Sequence, residues 1–344
     1  MKQLVAFVAA LLVLLFLPAC GGSGISGPTG NPTPQPTPAV MTRSVTFVAF
    51  LDENGNKVLD GNEVTRIPNA EVVAGGVRGQ TAGSTGQVIL QVPEGTQALD
   101  VTAASLPPFY RPPTTSSISV PSSTTIMVPI TLPLGSSNRP DVYMAFGDSI
   151  TNGEPDIGDG NGYRLTLQAM LRAHFGSGSV ANEGIDATNS DRGADRLGAS
   201  LSRVHPAFTL IFYGVNDWND QRCDSLEDVP CFTTDSLRSI VQQVNRDGGH
   251  AFLATITPVN VGYDDRVPQT RQEWVTKQNI YVRQVAEQEG AVLVDLNAAF
   301  IKSGLVGDAL FRDHIHPQAV GYQIMAQTWF DAITKPFSKV LSDF

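Results

Sequence analysis

Between residues 41 and 134 apolar side chains alternate with polar or small ones. Val45-Phe47-Ala49, Val88-Leu90-Val92, Leu99-Val101 and Ile126-Val128-Ile130 each keep period two, as strands with one buried face do. Gly, Pro and Asn separate them at short intervals and no helical stretch intrudes, which predicts a small all-β sandwich. From residue 140 the pattern changes. Residues 142–146, 209–213, 250–255 and 291–295 are near-continuous apolar runs, with a further strand near 179–182. Between them Tyr163, Leu167, Met170, Leu171 and His174 recur at helical spacing, as do Leu197, Leu201 and Val204, then Leu237, Ile240, Val241 and Val244. Apolar strands separated by amphipathic helices predict an α/β domain over residues 140–344, with a five-stranded parallel sheet covered on both faces.

The amino-terminal residues follow another logic. Lys2 precedes an apolar run over residues 4–17, too short and wrongly flanked to span a membrane. It ends in Leu17-Pro18-Ala19-Cys20, then Gly21-Gly22-Ser23. Residues 1–19 thus resemble a bacterial lipoprotein signal, which implies cleavage before Cys20, lipid on its sulfur and an exported, envelope-anchored protein. Pro18 departs from the small residue usual there, and a plain secretory signal with a chance cysteine is the competing reading. Residues 20–40 are Gly, Ser, Pro and Thr with almost nothing apolar, a linker that favours extended geometry at about 3.1 Å per residue. The chain has three cysteines. With Cys20 lipidated, Cys223 and Cys231 remain in one polar loop, where an oxidising compartment lets them pair; the alternative is two free thiols.

Charge narrows the partners. A formal net charge of −10 argues against nucleic acid or an anionic lipid surface. One acidic segment carries possible metal chemistry. Asp52, Asn54, Asn56, Asp60 and Glu63 fall at positions 1, 3, 5, 9 and 12 of a calcium loop, with the Val58 carbonyl at position 7. Lys57 occupies position 6, where the pattern wants Gly, and no flanking helices are evident. The competing reading is a polar turn whose Asx side chains cap the backbone. Any calcium bound here would be structural. The Phe50-Leu51-Asp52-Glu53-Asn54-Gly55-Asn56 stretch and the turn Gly83-Ser84-Thr85-Gly86-Gln87 resemble those of prealbumin-like and Cna-B-like modules of bacterial surface proteins.

The second domain holds the residues of acyl chemistry. Phe146-Gly147-Asp148-Ser149-Ile150-Thr151 follows the first apolar strand, and Asp313-His314-Ile315-His316-Pro317 lies near the end. Between them come Asn182-Glu183-Gly184 and Gly214-Val215-Asn216-Asp217. A serine hydroxyl needs a base, and His316, with Asp313 three residues before it, supplies one. His314 is the competing base, out of phase by two residues. Pro317 is expected to open a final helix carrying Val320, Ile324 and Thr328 on one side. Four blocks in this order resemble the SGNH (GDSL-type) esterase and lipase superfamily over about residues 140–335. The resemblance implies a flavodoxin-like strand order, 2-1-3-4-5, and a catalytic triad of Ser149, Asp313 and His316. It further implies oxyanion donors from the Ser149 and Gly184 backbone and the Asn216 side chain, with no cofactor for catalysis. Asp148 then reads as a partner of the turn, and Asp217 as a false match for the triad acid.

The loops flanking these blocks, residues 152–161 and 218–232, are polar and acidic. They favour short acyl esters, acetyl esters of carbohydrate among them, over long-chain lipid. Trp218, Tyr213 and Tyr263 are candidates for stacking on a sugar ring, with packing as the alternative. An O-acyltransferase using the same triad, a lysophospholipase-like esterase and a non-catalytic surface-binding protein are the rival functions.

Overall fold

The computed structural model describes residues 39–153 and 162–336. The signal segment, Cys20 and nearly all of the linker lie outside the described residues, as do residues 154–161. Seven short strands come first: β1 (Thr42–Leu51), β2 (Glu71–Ala74), β3 (Val77–Gln80), β4 (Gln87–Pro93), β5 (Gly95–Val101), β6 (Ser116–Val120) and β7 (Ile126–Ile130). They form a three-stranded sheet, β4-β1-β7, and a four-stranded sheet, β3-β2-β5-β6. Alternation places Val45, Phe47, Ala49, Leu90, Val92, Leu99, Val101, Val128 and Ile130 in one buried cluster. Strands β2, β3 and β6 escaped the periodicity; none of them holds three alternating apolar residues, unlike the equally short β7.

The loop between β1 and β2 closes on itself. Asp52 accepts from the N–H groups of Gly55 and Lys57 at 2.8 and 3.0 Å. Glu63 accepts from Glu53 and Asp60 at 2.8 and 2.9 Å. Asn54 and Asn56 both donate to Asp60 at 2.8 Å. Lys57, at position 6, adopts the left-handed φ of 64° that the pattern assigns to glycine.

The second half runs β8 (Arg139–Gly147), α1 (Ser149–Asn152), α2 (Arg164–Phe175), β9 (Ser179–Gly184), α3 (Ser190–Val204), β10 (Pro206–Phe212), α4 (Cys231–Asp247), β11 (His250–Ala254), α5 (Gln269–Glu289), β12 (Val292–Val294), α6 (Leu296–Lys302) and α7 (Ala319–Thr334). All strand pairs are parallel, in the order β12-β11-β10-β8-β9. One sheet face buries Met144, Phe146 and Ile211 against α3, α4 and α5. The other buries Tyr143, Ala145, Leu210 and Phe212 among residues that include Leu167 and Leu171 of α2 and Trp329 of α7. Among the described residues no helix is long and apolar enough to cross a membrane.

One helical expectation needs correction. Pro317 does not open the last helix, which begins at Ala319 after Gln318; Pro317 instead bridges to Phe311. Val320, Ile324 and Thr328 share a half-buried side of α7, where Val320 and Ile324 pack on the core, while Tyr322, Met325, Ala326 and Trp329 are its fully buried residues. The 21-residue α5 gave no clear periodic signal, because Arg271, Gln278 and Asn279 share its buried face with Trp274, Val275 and Val282.

The sandwich and the α/β half share a core. Tyr110 lies between Phe175 and Phe208, with ring centroids 6.3 and 6.4 Å away. Phe109, held at φ 72°, stacks on His250 at 4.1 Å. Across the same junction the Arg66 N–H donates to the Phe175 carbonyl at 2.8 Å, and the connector is pinned where Gly135 N–H meets the Gly248 carbonyl at 2.9 Å.

Candidate active site

Strand β8 delivers its last residues to the carboxyl edge of the sheet, where ligands of such sheets bind. Asp148 caps the following turn, its side chain accepting from Ile150 N–H at 3.0 Å. Ser149 is the first residue of α1, so its N–H has no acceptor within the helix. Arg164 closes the other end of this one-turn helix by donating to the carbonyls of Thr151 and Asn152, both at 2.8 Å.

The segment after α6 supplies the partners of Ser149. The Ser149 hydroxyl lies 2.8 Å from His316 Nε2, and His316 Nδ1 lies 2.8 Å from Asp313 Oδ2. The other Asp313 oxygen accepts from the N–H groups of Ile315 and His316 at 2.9 and 2.8 Å. These contacts select the tautomer with hydrogen on Nδ1, which leaves Nε2 free to accept from the hydroxyl. Burial pushes the Asp313 carboxyl up, but the hydrogen bonds from the His316 ring and from the two backbone N–H groups outweigh it and hold the group well below the usual range. His314 stands apart from the serine–histidine contact: its Nδ1 lies 3.6 Å from Asp313 Oδ1, and its ring centre lies 6.2 Å from that of His316. Asn260, which sequence reasoning did not single out, fixes this loop. Its side chain donates to the carbonyl of Asp313 at 3.2 Å and its N–H to that of His314 at 3.0 Å.

The remaining residues take distinct places. Asn216 follows β10 and is buried; its amide donates to the Thr188 carbonyl at 3.2 Å, which leaves a second amide hydrogen. Gly184 ends β9, but its N–H donates to Asn182 Oδ1 at 3.0 Å and so is not a free donor. What Gly184 provides is close approach: a Cβ there would run into the backbone N of Asn152, with the Asp148 carbonyl at 2.8 Å. Two residues beyond Ile185, Ala187 is held at φ 55°, a conformation that side chains disfavour and that clusters at functional sites. Asp217 is buried and accepts from Ser190 N–H, Ser190 Oγ and Thr233 Oγ1 at 2.9, 2.6 and 2.7 Å, so it braces the loop. Cys223 and Cys231 form a disulfide, Cα atoms 5.5 Å apart, beside Thr233. Of the stacking candidates, Tyr213 is fully buried and Trp218 packs edge-on against Trp274, while Tyr263 is exposed.

The sequence matches the model of the GDSL-like Lipase/Acylhydrolase family over residues 145–324. No curated protein matches it. Among solved structures it is similar to an alpha/beta hydrolase enzyme from the metagenome of Lake Arreo, Spain, at 24% identity, covering 57% of this chain and 96% of that one, with a TM-score of 0.47. It is also similar to an acetylxylan esterase from Geobacillus stearothermophilus, at 24% identity, covering 59% of this chain and 98% of that one, with a TM-score of 0.48.

Proposed function

This chain belongs to the GDSL-like lipase/acylhydrolase family and is a carboxylic ester hydrolase; on that premise we propose that it works through an acyl-enzyme on Ser149 and acts on short acyl esters, acetyl esters of carbohydrate foremost. The observation that carries the reading is the unbroken hydrogen-bonded run from the Ser149 hydroxyl through His316 to Asp313. Ser149 Oγ attacks the ester carbonyl carbon while His316 Nε2 takes the hydroxyl proton. Asp313 keeps the imidazolium oriented and balances its charge. The Ser149 N–H and the second amide hydrogen of Asn216 are the donors we assign to the oxyanion. Collapse of the tetrahedral intermediate expels the alcohol, which leaves with the proton from His316. Water then enters, gives its proton to the same nitrogen, and releases the acid.

Support for a polar substrate comes from the rim. Asn152 donates to Asp186 at 2.8 Å and accepts from Asn182 at 2.9 Å, an exposed amide and carboxylate network beside the serine. Such a surface suits hydroxylated alcohols better than long alkyl chains. The test is hydrolysis of p-nitrophenyl esters of increasing chain length by wild type and Ser149→Ala. We expect an optimum at acetate and loss of turnover in the variant with its melting temperature kept. An optimum at long chains would overturn the substrate class, and near-normal turnover in Ser149→Ala would overturn the nucleophile.

A further inference from the structure

The carboxyl ends of parallel strands leave main-chain carbonyls that must find donors when buried. At this edge one side chain serves three strands. Arg196 lies on the inner face of α3, only 18% of its side chain exposed, with its guanidinium 4.1 Å above the Phe146 ring centre. Its Nη2 is within bonding distance of three oxygens: the Gly147 carbonyl at 3.1 Å, the Glu183 carbonyl at 2.6 Å and the Tyr213 hydroxyl at 2.6 Å. Each oxygen belongs to a different part of the site. Gly147 ends β8 two residues before Ser149, Glu183 immediately precedes Gly184 on β9, and Tyr213 follows β10 three residues before Asn216. Helix α3 is shaped for the purpose. At Gly193, one turn earlier, a Cβ would come within 2.7 Å of the Tyr213 ring. The Glu183 carboxylate lies 3.7 Å from Nη1 and is shared with Arg203, which approaches the same oxygen at 2.5 Å.

We propose that Arg196 is a positioning residue for acyl transfer: it sets the spacing between the nucleophile turn and the oxyanion donors by tying the ends of β8, β9 and the β10 turn to one planar group. This rests on the serine-esterase reading above. Arg196 touches neither substrate nor reacting atoms. A rigid fork with several donors suits the task, and an ammonium on a flexible stem meets it only in part.

The experiment uses the full chain with Arg196→Met, Arg196→Lys and Tyr213→Phe. Each is measured for kcat and KM on p-nitrophenyl acetate, for affinity toward a boronic acid that forms a tetrahedral serine adduct, and for melting temperature. Misplacing donors by a fraction of an ångström to an ångström lowers kcat by roughly 10²-fold in Arg196→Met. KM stays near the wild-type value, boronate affinity drops in parallel with kcat/KM, Arg196→Lys recovers part of the loss, and Tyr213→Phe falls between. Tyr213→Phe keeps the ring and removes the hydroxyl, which takes the 2.6 Å bond from Arg196 and a long 3.5 Å contact with the Thr188 hydroxyl, so it decides the matter if Arg196→Met does not fold. Wild-type kcat and boronate affinity in folded Arg196→Met or in Tyr213→Phe overturn the proposal, as does a loss of activity that merely follows the folded fraction. If Ser149→Ala stays active, the serine reading has failed instead.

Discussion

Asp148 stands one residue from the nucleophile with no exposed surface. Burial pushes its carboxyl up to about 7, against hydrogen bonding from Ile150 N–H and the attraction of His316. Below that pH the native state holds a proton that the unfolded chain releases near 4. The native state therefore binds more protons between about pH 4 and 7, and stability declines as pH rises through that window. A displacement of this size corresponds to at most about 4 kcal/mol. Asp148→Asn keeps the acceptor for Ile150 and removes the ionisation, so it gains on wild type between pH 5 and pH 8. Urea denaturation at both values checks this, and a constant difference refutes it. Asp313 behaves in the opposite sense, since its depressed carboxyl stays charged wherever the protein is folded. Asp313→Asn forfeits the charge and the tautomer, which lowers kcat by roughly 10⁴-fold. A loss under tenfold in steady-state assays would remove Asp313 from the mechanism.

At the scale of elements, α5 reaches the site through polar groups. Asn279 donates to the carbonyl of Ile256 and accepts from its N–H, both at 2.8 Å, just past β11. Arg271 donates to the Val215 carbonyl at 2.9 Å, next to Asn216. Asn279→Leu strands the buried Ile256 N–H, while the Ile256 carbonyl keeps the Asn297 amide at 3.0 Å; the loss costs about 1–3 kcal/mol, read from denaturant midpoints, and an unchanged midpoint contradicts the role. The same contacts explain what the sequence could reveal. Strands β8 and β10 were legible because a sheet covered on both faces needs apolar residues throughout. Ser149 and the Asp313–His316 pair were legible because their chemistry sits within short local blocks. Arg196, Arg271 and Asn260 were not: their main acceptors are carbonyls 13 to 56 residues away, and a carbonyl leaves no mark in a side-chain pattern. The bond from the Gly184 N–H to Asn182 was illegible for a related reason, since spacing fits a donor and carries no trace of the acceptor it meets.

For the whole molecule the decisive feature is the continuous core. Phe109 and Tyr110 bring the sandwich into contact with Phe175, Phe208, His250 and Phe252. Calorimetry should therefore give one transition for both halves, and Tyr110→Ala should lower it as a unit, by about 3–5 kcal/mol. Two separate transitions in the wild type would show that the contact is dispensable. The contact also gives the molecule a direction. His250 and Phe208 lie toward the amino ends of β11 and β10, whereas Ser149 follows the carboxyl end of β8. Strand β1 starts with exposed residues 42–44 and ends beside the α/β half, where Glu53 feels the charge of Asp141 in β8. These aromatic contacts therefore brace the sheet at the end opposite the nucleophile, so a disturbance of that packing reaches Ser149 only through the length of the strands.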